Sequence, residues 1–334
     1  DMARNGGLVT LKDLEQYKPT WRSPVCGTFR TLQVCSMPPP SSGGVHLIEL
    51  LNLWSRANLN TQPWHSLDAL HFMTEAMKIV YADRAVHLGD PDFVPVPVAA
   101  LISPTYAALR RGEISMSRAR PATEVKAATP EILQRVLKLT ESTETSHLTV
   151  VDKDRNAVSL TFTVNLGFGA GVVAAGTGIV LNNEMDDFAI APNVPNAFGL
   201  VGNQANAIAP GKIPLSSMTP TLATENGKLK LATGSPGGST IITTVFQILL
   251  NHAVYNMDAG QAVSAPRLHH QWLPDRLMTE EYGFDPLTLN GLRQRGQEIQ
   301  VRSPWGNANL ITVTPDNALE GAADPRGEGA ALGY

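Results

Sequence analysis

Hydroxyls, amides and carboxylates concentrate between residues 141 and 189, spaced to act on a substrate that carries an amino group. Two alternating patterns, Ser146–Asp152 and Ala157–Asn165, flank the polar turn Lys153–Asn156 and read as a β-hairpin. Thr145 stands just ahead of the first strand, after Glu144. The second strand carries Thr163 and Asn165, which as i and i+2 residues share a face. Beyond a Gly-rich turn comes Asn182-Asn183-Glu184-Met185-Asp186-Asp187, directly after the apolar run Gly178–Leu181.

A threonine hydroxyl attacks a carbonyl poorly unless a base takes its proton. The nearest base is the residue's own α-amino group, with an ordinary pKa of about 7.7–8.0. For Thr145 that amine exists only once the Glu144–Thr145 peptide bond is cut, so a nucleophilic role implies processing there. Downstream, Gly237-Gly238 precede a helix expected over Ser239–Asn251. N–H groups at such a start point outward and, aided by the positive helix end, can hold an oxyanion. A hydroxyl at a strand edge, a second hydroxyl on the neighbouring strand and acidic groups nearby suit a site that binds an amino group.

The rest of the chain must position these groups. At 334 residues, 43% hydrophobic and 17% charged, it can bury a sizeable core. Its 28 glycines and 24 prolines mark a loop-rich globular protein, not a repeat or a coiled coil. Net charge is −4 with both signs mixed and no basic run, which argues against nucleic acid or anionic membrane as partners. No run of 18 apolar residues is present to span a bilayer. Cys26 and Cys35 are too few for a disulfide framework and wrongly spaced for zinc. They read as two half-buried strand residues, with a bridge between them left open. Asp1–Gly7 reads as a helix tail with a glycine stop and no signal peptide, so a fragment or truncated form is expected.

Helices are expected at Thr10–Tyr17, Ser41–Arg56, Ser66–Leu88, Ser103–Gly112, Ala259–Ser264 and Leu287–Arg295. Val25–Met37, Glu298–Arg302 and Leu310–Val313 read as strands, and Asn226-Gly227 marks a hairpin within Thr221–Thr233. Residues 119–130 read as an exposed linker, and Ala189–Gly202 as a lid-type loop. The mixture is a layered α+β protein. Two motifs are set aside: Gly167–Gly171 lacks a following helix for a dinucleotide, and His269-His270 lack a third metal ligand. His147 is read as structural.

The chain resembles the γ-glutamyltranspeptidases, which are N-terminal-nucleophile hydrolases. The likeness rests on Thr145-Ser146-His147, Thr163-Val164-Asn165 and Leu181–Phe188. Upstream it includes Pro38–Gly44 and Tyr81–Phe93; downstream, Pro214–Met218, Gly234–Ser239, Ala265–Pro274 and Ala323–Arg326. The resemblance implies a four-layer αββα sandwich whose N-terminal part lies outside this chain. Residues 1–144 would be the C-terminal part of a large subunit, and residues 145–334 a small catalytic subunit. Self-cleavage would free Thr145 as nucleophile and leave a heterodimer, in the periplasm or outside the cell. By the same likeness Thr163 orients the nucleophile and Gly237 and Gly238 form the oxyanion hole. Asn165, Glu184 and Asp187 would take the substrate's α-ammonium, and Ser216 and Ser217 its α-carboxylate. The family's arginine for that carboxylate lies before Asp1. Implied substrates are glutathione and other γ-glutamyl compounds, with amino acids, peptides or water as acceptors, and no cofactor or metal. A related acylase of glutaryl or cephalosporin side chains is the alternative, or else an unprocessed, non-catalytic fragment. Phe198 stands in the lid where some members carry Tyr, and Lys126–Thr140 is longer than in some.

Overall fold

The computed structural model describes residues 2–129 and 146–333. Glu144, Thr145 and the helical turns expected after Thr129-Pro130 lie outside the described residues. Two short helices come first, α1 (Met2–Asn5) and α2 (Leu11–Gln16). Thr10 caps α2 reciprocally: its hydroxyl accepts from the Asp13 N–H, and the Asp13 carboxylate accepts from the Thr10 N–H. The single strand expected over Val25–Met37 is instead a hairpin of β1 (Val25–Phe29) and β2 (Leu32–Ser36). Its turn sits at Arg30 with φ 56°, and no glycine or proline announces it. Cys26 and Cys35 are half-buried strand residues that face each other across the hairpin, and the bridge left open by the sequence is formed.

Helices α3 (Gly43–Ser55) and α4 (Leu67–His87) form the centre of the core. Ser66 caps α4 by accepting from Ala69 N–H. The sequence pattern shows one apolar stripe on α4, yet every residue from Ala69 to Ala85 is buried. Its polar side chains, Glu75, Lys78, Asp83 and Arg84, must therefore find partners inside. Helices α5 (Val98–Leu101) and α6 (Pro104–Gly112, capped by Ser103) pack beside α3.

Residues 119–129 are not an exposed linker. Ala122 and Val125 are fully buried, and their carbonyls accept from the Trp272 indole at 2.8 and 3.1 Å. Asp83 accepts from Ala128 N–H at 2.6 Å, and the Ala128 carbonyl meets His87 at 2.8 Å. The Ala/Thr/Pro composition looks like linker because these partners are all remote in sequence.

The hairpin β3 (His147–Val151) and β4 (Ala157–Thr161) follows, then β5 (Thr221–Glu225) and β6 (Lys228–Gly234) around Asn226-Gly227. Both turn residues have positive φ, as a two-residue hairpin loop needs. The remaining elements are α7 (Ile241–Ala253), α8 (Ala259–Ser264), β7 (Leu268–His269), β8 (Leu277–Glu280), α9 (Pro286–Gln294), β9 (Ile299–Arg302), β10 (Asn309–Val313) and β11 (Leu319–Ala323). The two-residue β7, together with β8 and β11, was not foreseen from the sequence.

A six-stranded antiparallel sheet in the order β1-β2-β5-β6-β10-β11 runs through the molecule. One face, carrying Val25, Phe29, Val34, Ala223, Leu231 and Leu310, packs into the helical core. The β3–β4 hairpin lies on the other face, where the His147 ring sits against Gly234 and its carbonyl accepts from Asn309 at 3.2 Å. A Cβ on Gly234 would come within 2.4 Å of that ring, so only glycine permits the approach. The hairpin's outer face carries Leu148, Val150, Val158 and Leu160, each 40–54% exposed. A third, mixed sheet joins β7, β8 and β9. The architecture is α+β with mainly antiparallel sheets.

Candidate active site

A cavity of about 220 Å³ opens where β4, the Ser216 loop and the start of α7 converge. It is lined by Ser146, Thr163, Asn165, Asp187, Ser216, Ser217, Gly237 and Gly238, with Phe198 and Leu200 as its apolar wall. Six of the expected side-chain and backbone groups therefore meet the seventh, Thr163, in one hollow. Its size suits an amino-acid-sized group, below the 300–1,000 Å³ common for drug-sized ligands. Ser146, the residue after Thr145, lies in the lining, so the chain enters the cavity at this point.

Thr163 and Asn165 arrive by a different route from the one their spacing suggests. Strand β4 stops at Thr161, and both residues belong to an irregular segment beyond it. Asn165 has φ 72°, in the left-handed region that asparagine tolerates. Its N–H donates to Thr163 Oγ1 at 2.7 Å, and its amide donates to the Asn183 carbonyl at 3.1 Å. Asn182 and Asn183 are turn-makers here: Asn183 Oδ1 accepts from Leu166 N–H and Asn182 Oδ1 from Glu184 N–H.

The two acids separate. Asp187 lines the cavity, whereas Glu184 does not. Asp187 Oδ1 accepts from the Asn196 amide at 3.1 Å, which ties the carboxylate to the lid. Burial pushes its pKa up to about 6, against the pull of the Arg84 guanidinium. Both Glu184 oxygens are sealed from solvent without a well-formed hydrogen bond among the described residues. Burial, then the Asp187 charge, push Glu184 up to about 7, and the nearby Thr163 hydroxyl opposes this slightly. Glu184 thus neighbours two lining residues, Thr163 and Asp187, without reaching the cavity itself.

Ser216 and Ser217 are held by the Pro38–Gly44 loop. Ser42 donates through its N–H and hydroxyl to the Ser216 carbonyl (2.9 and 2.8 Å), and Ser41 Oγ donates to the Met218 carbonyl at 2.8 Å. A Cβ on Gly43 would fall 1.8 Å from that carbonyl, so the two loops dock only through glycine. Behind them lies Arg84, a residue that sequence reasoning passed over. It is 4% exposed and donates to Ser42 Oγ (3.0 Å), Ser217 Oγ (3.1 Å) and the carbonyls of Leu215 and Ser216 (both 3.4 Å). With Ser217 Oγ accepting from Arg84, its own O–H is free to donate into the cavity. No sequence signal singled out Arg84, because α4 shows one apolar stripe in sequence and its full burial appears only in the fold.

At the start of α7 the turn Gly237-Gly238 has φ 139° and 55°, conformations that side chains avoid. Thr240 N–H and Oγ1 donate to the Gly237 carbonyl at 3.1 and 2.9 Å, turning it back into the helix. Neither glycine N–H donates to a hydrogen bond among the described residues. Tyr81, from α4, donates to the Ser239 carbonyl and fixes the turn from below. Two outward N–H groups at a helix start can stabilise negative charge on an oxygen.

Both ring nitrogens of His147 are engaged, with Thr161 Oγ1 (3.0 Å) and Thr149 Oγ1 (2.8 Å). These bonds to two strand threonines support its structural reading. Burial lowers its pKa to about 4. His269 and His270 are likewise buried and bonded, to Thr243 and Gln271 and to Asp275 respectively. After Gly171 the chain pairs back through Val173 and Val180 and opens no helix there.

A family model described as gamma-glutamyltranspeptidase matches residues 1–334. The glutathione hydrolase proenzyme of Escherichia coli (strain K12) is 48% identical over 326 residues, which is 98% of this chain and 55% of that protein. An acivicin-inhibited gamma-glutamyltranspeptidase of known structure superposes with TM-score 0.54 at 48% identity, covering 55% of this chain and all of the other. The cephalosporin acylase of Bacillus halodurans superposes with TM-score 0.82 at 27% identity, over all of this chain and 57% of its own. The chain thus spans about half the length of the curated relatives it matches.

Proposed function

The chain belongs to the gamma-glutamyltranspeptidase family, and on that premise we propose that it carries the catalytic part of a γ-glutamyl transferase and hydrolase. The observation that carries this reading is the single cavity shared by Thr163, Asn165, Asp187, Ser216, Ser217, Gly237 and Gly238 at the point where the chain follows on from Thr145. Cleavage at Glu144–Thr145 frees the Thr145 amine, which takes the hydroxyl proton as Oγ attacks the γ-carbonyl carbon. The Gly237 and Gly238 N–H groups receive the oxyanion. Collapse returns the proton to the departing amine of glutathione or a related compound and leaves a γ-glutamyl ester on Thr145. Water or an acceptor amino acid or peptide resolves that ester and restores the hydroxyl. Asp187 and Asn165 accept from the donor's α-ammonium, with the Glu184 carboxyl adding its charge from behind Thr163; Ser216 and Ser217 donate to its α-carboxylate. No step calls for a cofactor.

Residues 1–144 then form the C-terminal part of a large subunit and residues 145–334 the small one. In support, a solved relative is matched whole by 55% of this chain, a share of about the size of 145–334. The exposed apolar face of β3–β4 supports a further layer packing there, completing a four-layer sandwich. No described helix is long and apolar enough to cross a membrane, and a periplasmic or extracellular site is our reading.

Mass analysis of the mature protein should find a fragment that begins at Thr145, and Thr145→Ala should remain uncut and release no nitroaniline from γ-glutamyl-p-nitroanilide. A fragment with another first residue, or turnover by that variant, refutes the nucleophile. The close structural likeness to a cephalosporin acylase favours a second reading, a glutaryl-type acylase. Asp187→Asn separates them: with γ-glutamyl donors the loss should approach the 1.5–3 kcal/mol of a charged hydrogen bond, and with glutaryl donors it should nearly vanish. Equal losses would remove the argument for an ammonium pocket.

A further inference from the structure

We propose that Gln271 is a positioning residue, the latch that holds lid residue Phe198 over the oxyanion glycines and keeps two cavities apart. The proposal deepens the function given above and rests on it for the role of Gly237 and Gly238. Beside the first cavity lies a second, of about 620 Å³, lined among others by Gln271, Arg302 and Trp305. Phe198, Gly237 and Ser239 line both, so the Phe198 ring is part of the wall between them. The ring lies so close to Gly238 that a Cβ there would fall 2.5 Å from it.

Phe198 lacks a side-chain polar group with which to fasten itself. What holds it is a buried amide. Gln271 is 4% exposed, and its nitrogen donates to the Phe198 carbonyl at 3.1 Å and to the Leu273 carbonyl at 3.4 Å. Both partners are acceptors only, which fixes the orientation of the amide. Its oxygen then faces His269 Nε2 at 3.0 Å, so Nε2 carries the proton and Nδ1 is the acceptor facing Thr243 Oγ1 at 2.8 Å, a hydroxyl shared with the Thr240 carbonyl at 3.0 Å. Burial keeps His269 in this neutral form, with its pKa lowered to about 3. Thr243 belongs to α7, the helix that the glycines open. At the other end of the lid turn, Asn196 Oδ1 accepts from the N–H groups of Phe198 and Leu200 (both 3.0 Å) while its amide donates to Asp187. One chain of hydrogen bonds thus runs from the oxyanion helix through His269 and Gln271 to the lid, and on to the carboxylate assigned to the ammonium.

The latch can be cut from either side in the full-length protein. Gln271→Leu removes the donor. Gly199→Ala acts from the lid, since a Cβ there would stand 3.1 Å from the Gln271 nitrogen at φ +74°. Either change should raise hydrogen exchange at Ala197, Phe198 and Leu200 tenfold or more and leave α7 unchanged. Gln271→Leu should also lower kcat/KM for γ-glutamyl-p-nitroanilide about tenfold, the factor carried by one neutral hydrogen bond. In a Phe198→Ala background the same substitution should change turnover less than twofold, because the ring it positions is gone. A merely structural Gln271 would cost the same in both backgrounds. Unchanged lid exchange, or an equal loss in the Phe198→Ala background, overturns the latch. Faster lid exchange in a protein that never turns over the donor supports the latch and refutes the activity instead.

Discussion

Asp187→Asn should make the protein more stable above neutral pH even as it disables the donor site. The Asp187 carboxyl is pushed from its ordinary 3.8 up to about 6, with burial first among the causes and Arg84 pulling the other way. The folded state therefore binds its proton more tightly than the unfolded chain does. Stability contributed by that proton is complete below about 3.8 and is lost as pH rises through about 6. At 1.36 kcal/mol per unit, the ionised group costs up to about 3 kcal/mol at pH 8. The carboxylate keeps some surface open to the cavity, and solvent there reduces the figure to roughly 1–3 kcal/mol. Asparagine keeps an oxygen for the Asn196 amide but cannot ionise. It also removes the charge that raises Glu184 to about 7, which extends the effect upward in pH. Thermal melts of both proteins from pH 4 to pH 8 should diverge, with the variant ahead by roughly 1–4 °C at pH 8 and level with the parent near pH 4. A gap that is independent of pH, or a variant that is less stable at pH 8, would mean that Asp187 is not a strained buried carboxylate.

Arg84→Met should move the acidic limb of kcat/KM against pH upward from about 6, because the guanidinium is what holds the Asp187 pKa down; it should also raise KM for the donor at least tenfold, and an unmoved limb would deny Arg84 its electrostatic part. On the outer face of β3–β4, Val158→Asp with Leu148→Asp should prevent assembly of the full-length protein, as substitutions in a core do, although both positions are exposed here at 54% and 40%; normal yield and melting temperature would leave that face without a covering layer.

What the sequence made legible was mostly local. Ser66, and Ser103 with Pro104, cap their helices within the first turn, so α4 and α6 start where the pattern says. Asn226-Gly227 supplies both positive-φ residues of its turn, so β5 and β6 could be read without a partner in view. The turn between β1 and β2 uses Arg30 at φ 56°, a residue with no turn signature, and the hairpin read as one strand. The same distinction explains the site. Thr163, Asn165 and Gly237-Gly238 stand out through the short motifs the chain shares with the γ-glutamyltranspeptidases, a likeness that gives each of them a role. Arg84 and Gln271 do not, because an arginine in a helix or a glutamine after a strand is ordinary until its surroundings are known. Each takes its meaning from remote carbonyls: Leu215 and Ser216 for Arg84, and Phe198 for Gln271. Burial converts such groups from solvated side chains into fixed donors, since an unpaired polar group inside costs more than the bond it forms. The groups assigned to the substrate were therefore open to reading in one dimension, while those that aim them became visible only once the chain had folded around them.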